Sequence, residues 1–459
     1  MRSLFEVCHG RKDRRHHLLF QLHRGSRNPG SGVDAPLDRG TCGSGRPGKI
    51  TVLLEIINMK KRTTAIIFAL LGSLTLCAAT MPLEDFSDLS AWKSDSYTPN
   101  TKFEKTADRP GITIHAPGGI YRMLPAKFGQ YRNQGRNFNG ISFKVKGDGS
   151  GNFGSISVGQ RWGWCFSWHF PLESKEWTEY KVAWEDMNPV WSWNVGKING
   201  RGGLTPEGID FLGIGNKWKI GYFNAPVAAH QYSIADVRLV EDAATKYADH
   251  NGKARAIQDV VKNMKEGKNV TVVSVGDSIT AGARLRSPQA ESYSAVMQKK
   301  LREQFRNDRI TVSAHAVGGA TLIDLLNWME RDIGNTPPDL ITILIGTNDK
   351  STGKSCASYA MQFNEYIGRL IAKTQGRSAI LLINAVPGKY YRWDMMDDYA
   401  DAVKEIGNRR GLPVCDLYGA MRALGREKVA GLLADLLHPN TAGHQAIGEI
   451  VANSVIQAE

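Results

Sequence analysis

Ser278, in Gly276-Asp-Ser-Ile-Thr280, follows the apolar run Val270-Thr-Val-Val-Ser-Val275 and stands where a buried strand turns into a helix. A serine hydroxyl is a weak nucleophile at neutral pH. It becomes useful when a base takes its proton and nearby N–H groups receive the developing negative charge. Downstream, Asp435-Leu-Leu-His438-Pro439 sets a carboxylate three residues before an imidazole. That spacing lets the two share one side of a helical turn, with His438 as general base and Asp435 fixing its tautomer. Between them, Gly346-Thr-Asn-Asp349 ends a second apolar run and offers the Asn348 carboxamide as a further donor. Each residue also has a structural reading: Ser278 as a helix N-cap, Asn348 as a turn residue. Asp277 and Asp349 are read as turn or cap carboxylates, His315 as a packed or pocket-rim residue, and His444 as a surface histidine in the last helix. No metal site is expected, because His438 and Asp435 have no third ligand at a matching spacing.

Two kinds of sequence must position these groups. From residue 81 to 242 the chain reads as short strands broken by Gly, Asn, Asp and Pro, with Gly147-Asp148-Gly149 as a hairpin turn and a short strand at 234–239 closing the set. Seven or more such strands predict an all-β antiparallel sandwich. Residues 243–266 read as a helical linker, poor enough in Pro, Gly and Ser to favour direct packing of the flanking domains. From 267 to 459, apolar runs at 270–275, 310–314, 340–345, 379–385 and 412–415 alternate with helical stretches at 293–306, 321–332, 358–374, 397–409 and 441–454. This is the pattern of a parallel sheet covered on both faces, with its ligand crevice outside the carboxyl ends of the strands.

Residues 59–80, MKKRTTAIIFALLGSLTLCAAT, have a basic start, an apolar centre too short for a comfortable membrane span, and a small-residue end. They read as a signal peptide cut after Ala79 or Thr80, which implies a secreted or periplasmic bacterial protein; a lipid anchor on Cys77 is the alternative. Residues 1–58 lack sustained periodicity and read as non-structural, consistent with translation starting at Met59. Residues 1–62 carry 13 Lys or Arg against 5 Asp or Glu, so only +5 of the net +13 belongs to the remainder. That mild balance, without an Arg-rich helix or zinc-finger spacing, gives no case for nucleic acid. Three cysteines remain, and Cys356 with Cys415 is the expected pair if one forms.

With those blocks in place, residues 267–457 resemble the catalytic domain of the SGNH hydrolases, the GDSL esterase and lipase family. The resemblance implies an α/β/α, flavodoxin-like three-layer domain and a cofactor-independent esterase. It implies that Ser278, Asp435 and His438 are catalytic and that Ser278, Gly319 and Asn348 form an oxyanion hole. Val317-Gly-Gly-Ala-Thr321 departs from the family, having Ala314 and Ala316 where Asn and Gly are usual, and leaves Gly318 as a competing donor. No Gly-x-Ser-x-Gly elbow surrounds Ser278, so the ordinary α/β-hydrolase arrangement fits less well.

Nine of eleven tryptophans fall between Trp92 and Trp218. A tryptophan-rich sandwich before such a domain resembles two-domain carbohydrate esterases, in which a jelly-roll precedes the catalytic part and the substrate is an acylated polysaccharide. Trp162, Trp164, Trp168, Trp191 and Trp193 could stack on sugars or fill the sandwich core. Tyr390, Tyr391 and Trp393, beside Lys389 and Arg392, suggest a mixed surface better suited to a sugar than to a lipid tail. The alternatives are a lipase, lysophospholipase or thioesterase of the same fold, and an inactive glycan-binding protein.

Overall fold

A computed structural model describes residues 80–458 except 96–97, 125–136, 161–164, 191–197, 199–203, 205, 216–228 and 248–251. The leader, Cys77, Trp162, Trp164, Trp191, Trp193 and Trp218 lie outside the described residues.

Among the described residues, twelve strands form the N-terminal part: β1 (Thr80–Glu84), β2 (Lys93–Ser94), β3 (Phe103–Lys105), β4 (Gly111–Ala116), β5 (Gly119–Met123), β6 (Gly140–Lys146), β7 (Phe153–Gly159), β8 (Cys165–Pro171), β9 (Thr178–Ala183), β10 (Asn188–Pro189), β11 (Phe211–Gly215) and β12 (His230–Val240). They make two antiparallel sheets, β3-β4-β12-β6-β9 with β1 also on β12, and β10-β8-β7-β11-β5-β2. Phe170 of the second sheet lies 5.5 Å from Phe143 and 5.6 Å from Tyr232 of the first, so the inner faces meet through aromatic rings.

Two expectations are corrected here. The closing strand is not short: β12 is eleven residues long and central, pairing with β6 on one side and with β4 and then β1 on the other. Asp236, at φ +52°, interrupts its register with β6, so simple alternation hides its length. The Gly147–Gly149 turn does not make a hairpin either, because β6 and β7 belong to different sheets and the turn carries the chain across the sandwich.

The C-terminal part has a five-stranded parallel sheet built from β13 (Val270–Gly276), β14 (Ile310–Ala316), β15 (Leu340–Leu344), β16 (Ala379–Ile383) and β17 (Val414–Cys415), in the order β14-β13-β15-β16-β17. Its main helices are α1 (Ile257–Lys265), α2 (Tyr293–Phe305), α3 (Leu322–Ile333), α4 (Thr347–Ser351), α5 (Cys356–Thr374), α6 (Asp397–Arg410), α7 (Leu417–Ala423), α8 (Arg426–Gly431) and α9 (Thr441–Ile456). Alternate strand residues feed opposite layers. Val273, Val275, Ile341, Ile343, Ile380 and Leu382 pack with α3, α5 and α6. Val270, Val272, Leu340, Leu344, Leu381 and Ile383 pack with α1, α2 and α9. Both β15 and β16 are buried along their whole length, as strands covered on two faces must be.

The first of these layers is continuous with the sandwich core. Arg369 of α5 donates to the carbonyls of Asp186 and Glu185, each at 2.8 Å, and to Asn188 Oδ1 at 2.9 Å. Asn327 of α3 donates to the Pro189 carbonyl at 2.8 Å and meets Ser167. Glu330 gathers Lys246, Lys373 and the Tyr247 hydroxyl. Among the described residues of 243–266, the helical stretch is Ile257–Lys265. Upstream, the Asp186 carboxylate accepts the backbone N–H groups of Lys246 and Tyr247, which a helix would have used internally.

The expected Cys356–Cys415 pair is absent, and Cys165, Cys356 and Cys415 are free thiols. Cys415 sits in the layer with α1, α2 and α9, and Cys356 packs against the layer on the other side of the sheet.

Candidate active site

From β13 the chain passes to β14 on one side and then crosses back to β15 on the other, which opens a crevice at the carboxyl ends of these strands. Ser278, Gly319 and Asn348 each stand just past the end of one of these three strands. Gly276 is required at the first exit: a Cβ there would come within 2.1 Å of Thr280 Oγ1 and 2.4 Å of the Leu344 carbonyl oxygen. Beyond it the chain coils tightly, with Ala281 N–H bonded to Asp277 O at 3.0 Å and Ala283 N–H to Ser278 O at 2.9 Å, instead of starting the regular helix expected.

Ser278 Oγ lies 2.9 Å from His438 Nε2, and His438 Nδ1 lies 2.9 Å from Asp435 Oδ2. Asp435 and His438 are not on a helical turn. Asp435 Oδ1 accepts the backbone N–H groups of Leu437 at 2.9 Å and His438 at 2.8 Å, folding the loop so that the imidazole returns to its own carboxylate. Burial would raise the Asp435 pKa, but these two N–H groups and the His438 ring outweigh it and hold the carboxyl well below the usual range. An ionised Asp435 facing Nδ1 leaves Nε2 as the acceptor for the serine proton. Arg284, at φ +76°, places Nε 2.9 Å from Asp435 Oδ2. Nothing local in the sequence marks this arginine, since only the fold brings the two loops together.

Around Ser278, donors are left open. The N–H groups of Ser278, Gly318 and Gly319 meet no acceptor among the described residues. Gly319 has φ +82°, which favours glycine, and both Gly318 and Gly319 are exposed. Asn348 Nδ2 donates to the Ala320 carbonyl at 2.9 Å and has only a 3.4 Å contact with Asp277 Oδ2 as its second engagement. A group of this kind can turn one N–H to a developing oxyanion.

The flanking acids are structural partners in the geometry. Asp277 Oδ1 accepts the Ile279 N–H at 2.9 Å, and Asp349 accepts the Leu322 N–H at the start of α3 while pairing with Lys354. Burial, with the Asp349 charge adding to it against the Ile279 N–H, pushes Asp277 up to about 7. His444 is buried, not at the surface: Nδ1 accepts the Tyr293 N–H at 3.2 Å, and burial, with the neighbouring His438 adding to it, lowers its pKa to about 4. His315 is half-buried with Nδ1 against the Asp332 carbonyl. No group of three His, Cys, Asp or Glu side chains among the described residues is arranged to hold a metal ion.

Of the three aromatic candidates, Tyr390 and Tyr391 are 74% and 76% exposed, whereas Trp393 is 6% exposed, with Arg422 and Arg426 against its ring. Trp393 is thus a core residue of the 387–395 loop. That loop is fastened to the acid–base segment by Lys389 N–H to the Leu436 carbonyl at 3.0 Å, which sets the two exposed tyrosines beside His438's loop. Trp168 is buried against Tyr247 and offers no free face to a sugar.

Residues 274–446 match the GDSL-like Lipase/Acylhydrolase family. This segment is a GDSL-like acylhydrolase domain, and the protein is an esterase. An acetylxylan esterase of Geobacillus stearothermophilus is 26% identical to it over 204 residues, 40% of this chain and 93% of that protein. Among solved structures, an α/β hydrolase from the metagenome of Lake Arreo, Spain, is 25% identical, covering 41% of this chain and 96% of its own, with a TM-score of 0.35. A lipase/acylhydrolase from Enterococcus faecalis is 22% identical, covering 40% and 94%, also with a TM-score of 0.35. The GDSL-like domain begins inside β13 and ends within α9, and so takes in Ser278, Asn348, Asp435 and His438.

Proposed function

We propose that this esterase removes O-acyl groups, principally O-acetyl, from a polysaccharide or oligosaccharide through an acyl-enzyme on Ser278. The observation that carries the mechanism is the unbroken relay from Ser278 Oγ through His438 to Asp435, each step 2.9 Å long. His438 takes the serine proton as Oγ attacks the ester carbonyl, then returns it to the departing sugar hydroxyl; a water repeats the sequence to release acetate. The N–H groups of Ser278 and Gly319 and the Asn348 amide receive the charge on the tetrahedral oxygen, with Gly318 as the competing backbone donor.

The carbohydrate assignment draws on the acetylxylan esterase relative and on Tyr390 and Tyr391, two open ring faces beside the acid–base loop. It further treats the N-terminal sheets as a jelly-roll related to sugar-binding domains, and residues 59–80 as an export signal. Thr80 already pairs with Val240 in β1, which favours a cut after Ala79. Among the described residues no helix is long and apolar enough to cross a membrane.

A burst of p-nitrophenol from p-nitrophenyl acetate, undiminished by chelators and abolished in Ser278→Ala, is the expected result; full turnover by that variant overturns the mechanism. An acyl-chain series tests the substrate. Acetyl should be favoured sharply over octanoyl, and rates that climb with chain length would instead identify a lipase-like enzyme using the same Ser278 chemistry. Failure of a fluorophosphonate to label Ser278 would favour the inactive, glycan-binding alternative.

A further inference from the structure

Three cations lie on segments bonded to the acid–base loop, with little to neutralise them. Arg284 is mostly exposed and touches Asp435 through Nε, and its two outer nitrogens have no partner among the described residues. Across the acid–base segment, Lys389 and Arg392 lie on the loop whose backbone is bonded to Leu436. Lys389 has no ion pair among the described residues, and the polar contact of the Arg392 side chain is Nε to the Tyr391 hydroxyl at 3.3 Å. The carboxylate of that loop, Asp394, is already held by Arg422 at 2.8 Å and Arg426 at 3.5 Å. Asp435 is itself engaged by His438 and Arg284. Cations concentrated at the mouth of a crevice raise the local concentration of anionic substrates. The Arg392 guanidinium also lies 5.5 Å from the Tyr391 ring centroid, so one loop presents an aromatic face and a positive charge together. An acidic sugar asks for both: a ring to stack on and a cation for its carboxylate.

We infer that the acylated glycan taken by this site is acidic, its carboxylates received by Arg284, Lys389 and Arg392 on the two segments bonded to the acid–base loop. This rests on the carbohydrate-esterase reading and narrows it to uronate-bearing chains.

The test uses the full chain and acetylated oligogalacturonides and glucuronoxylan oligosaccharides, each with free or methyl-esterified carboxyl groups, which changes charge while keeping sugar and acetyl constant. The free acids should be deacetylated with kcat/KM about tenfold higher, and about 0.5 M salt should erase most of that preference. In Lys389→Gln/Arg392→Gln the ratio of free to esterified substrate should fall toward one, through KM for the free acid. A ratio of one or less with both backbones, or a preference that survives the double substitution, overturns the inference and leaves a neutral-glycan esterase. If neither form is deacetylated while p-nitrophenyl acetate is, the carbohydrate reading fails and the inference with it. The same cations and tyrosines could instead meet an anionic membrane. Stimulation of short-ester hydrolysis by phosphatidylglycerol vesicles but not by phosphatidylcholine vesicles, with no discrimination between free and esterified glycans, would decide for the membrane and against the acidic glycan.

Discussion

The crevice at Ser278 and the seam between the sandwich and the GDSL-like domain are built from the same residue types, and helix α3 reaches both. At the seam, Asn327 of α3 spends its amide nitrogen on the Pro189 and Ile323 carbonyls, at 2.8 and 2.9 Å, while its oxygen meets the Ser167 hydroxyl. Arg369, with 2% of its side chain exposed, has Glu365 and three sandwich acceptors. At the crevice, Asn348 has one firm partner and one long contact, Arg284 one partner, and the backbone N–H groups of Ser278 and Gly319 none among the described residues. Fully paired polar groups lock two surfaces together, because leaving any of them bare in the interior costs free energy. Donors left open, held in place by the same rigid elements, are what a transient charge requires. The difference predicts that damage to the crevice is kinetic and damage to the seam is thermodynamic.

The sharpest separation should come from Ser278→Ala, which is expected to lower kcat on p-nitrophenyl acetate by at least about 10⁴-fold while the melting temperature moves by no more than about 2 °C. A large loss of stability would break the distinction. Next, Arg369→Met should destabilise the protein by about 3 kcal/mol or more, since the acceptors of Asp186, Glu185 and Asn188 lose their buried cation. The folded fraction should keep kcat on the small ester within about twofold; denaturant titration alongside initial rates checks both. Third, Asn348→Ala should reduce kcat by about 10² to 10³ with little change in KM, as expected for a donor used mainly in the transition state. An unchanged rate would remove Asn348 from the proposed oxyanion hole.

The smallest effect concerns pH. Asp277 is raised to about 7 in the folded protein from an ordinary value of 3.8, so the folded state holds a proton that the unfolded state releases. Its contribution to stability is therefore fully present below pH 3.8 and is lost as pH rises through about 7. Asp277→Asn, which cannot ionise, should melt at a temperature that gains on the parent between pH 4 and 7 and keeps a constant offset above that. Parallel melting curves across the range would refute the shift.

The parallel sheet and the candidate groups at its strand ends were legible in the sequence, because both are marked locally. Continuous apolar runs separated by helical stretches identify the parallel sheet, because strands buried on both faces have no polar side to display. Ser278, Gly319 and Asn348 could be placed at strand ends from those runs alone, and Asp435 and His438 from their three-residue spacing. The sandwich was harder to read. Its central strand β12 is disguised by the register break at Asp236, and the 147–149 turn looks the same locally whether it joins strands within a sheet or crosses between sheets.

What the sequence determined by itself was the order of elements, the parallel architecture of the GDSL-like domain and the candidate groups for a proton relay. Tertiary structure decided which equivalent-looking residues do different work: Trp393 inside and Tyr390 outside on one loop, Cys356 and Cys415 on opposite sides of a sheet, Arg369 locked in a seam and Arg284 set on Asp435. Local pattern follows from backbone periodicity, which each segment carries alone. Burial, pairing and exposure depend on which distant segment arrives against it, and that is known only once the chain has folded.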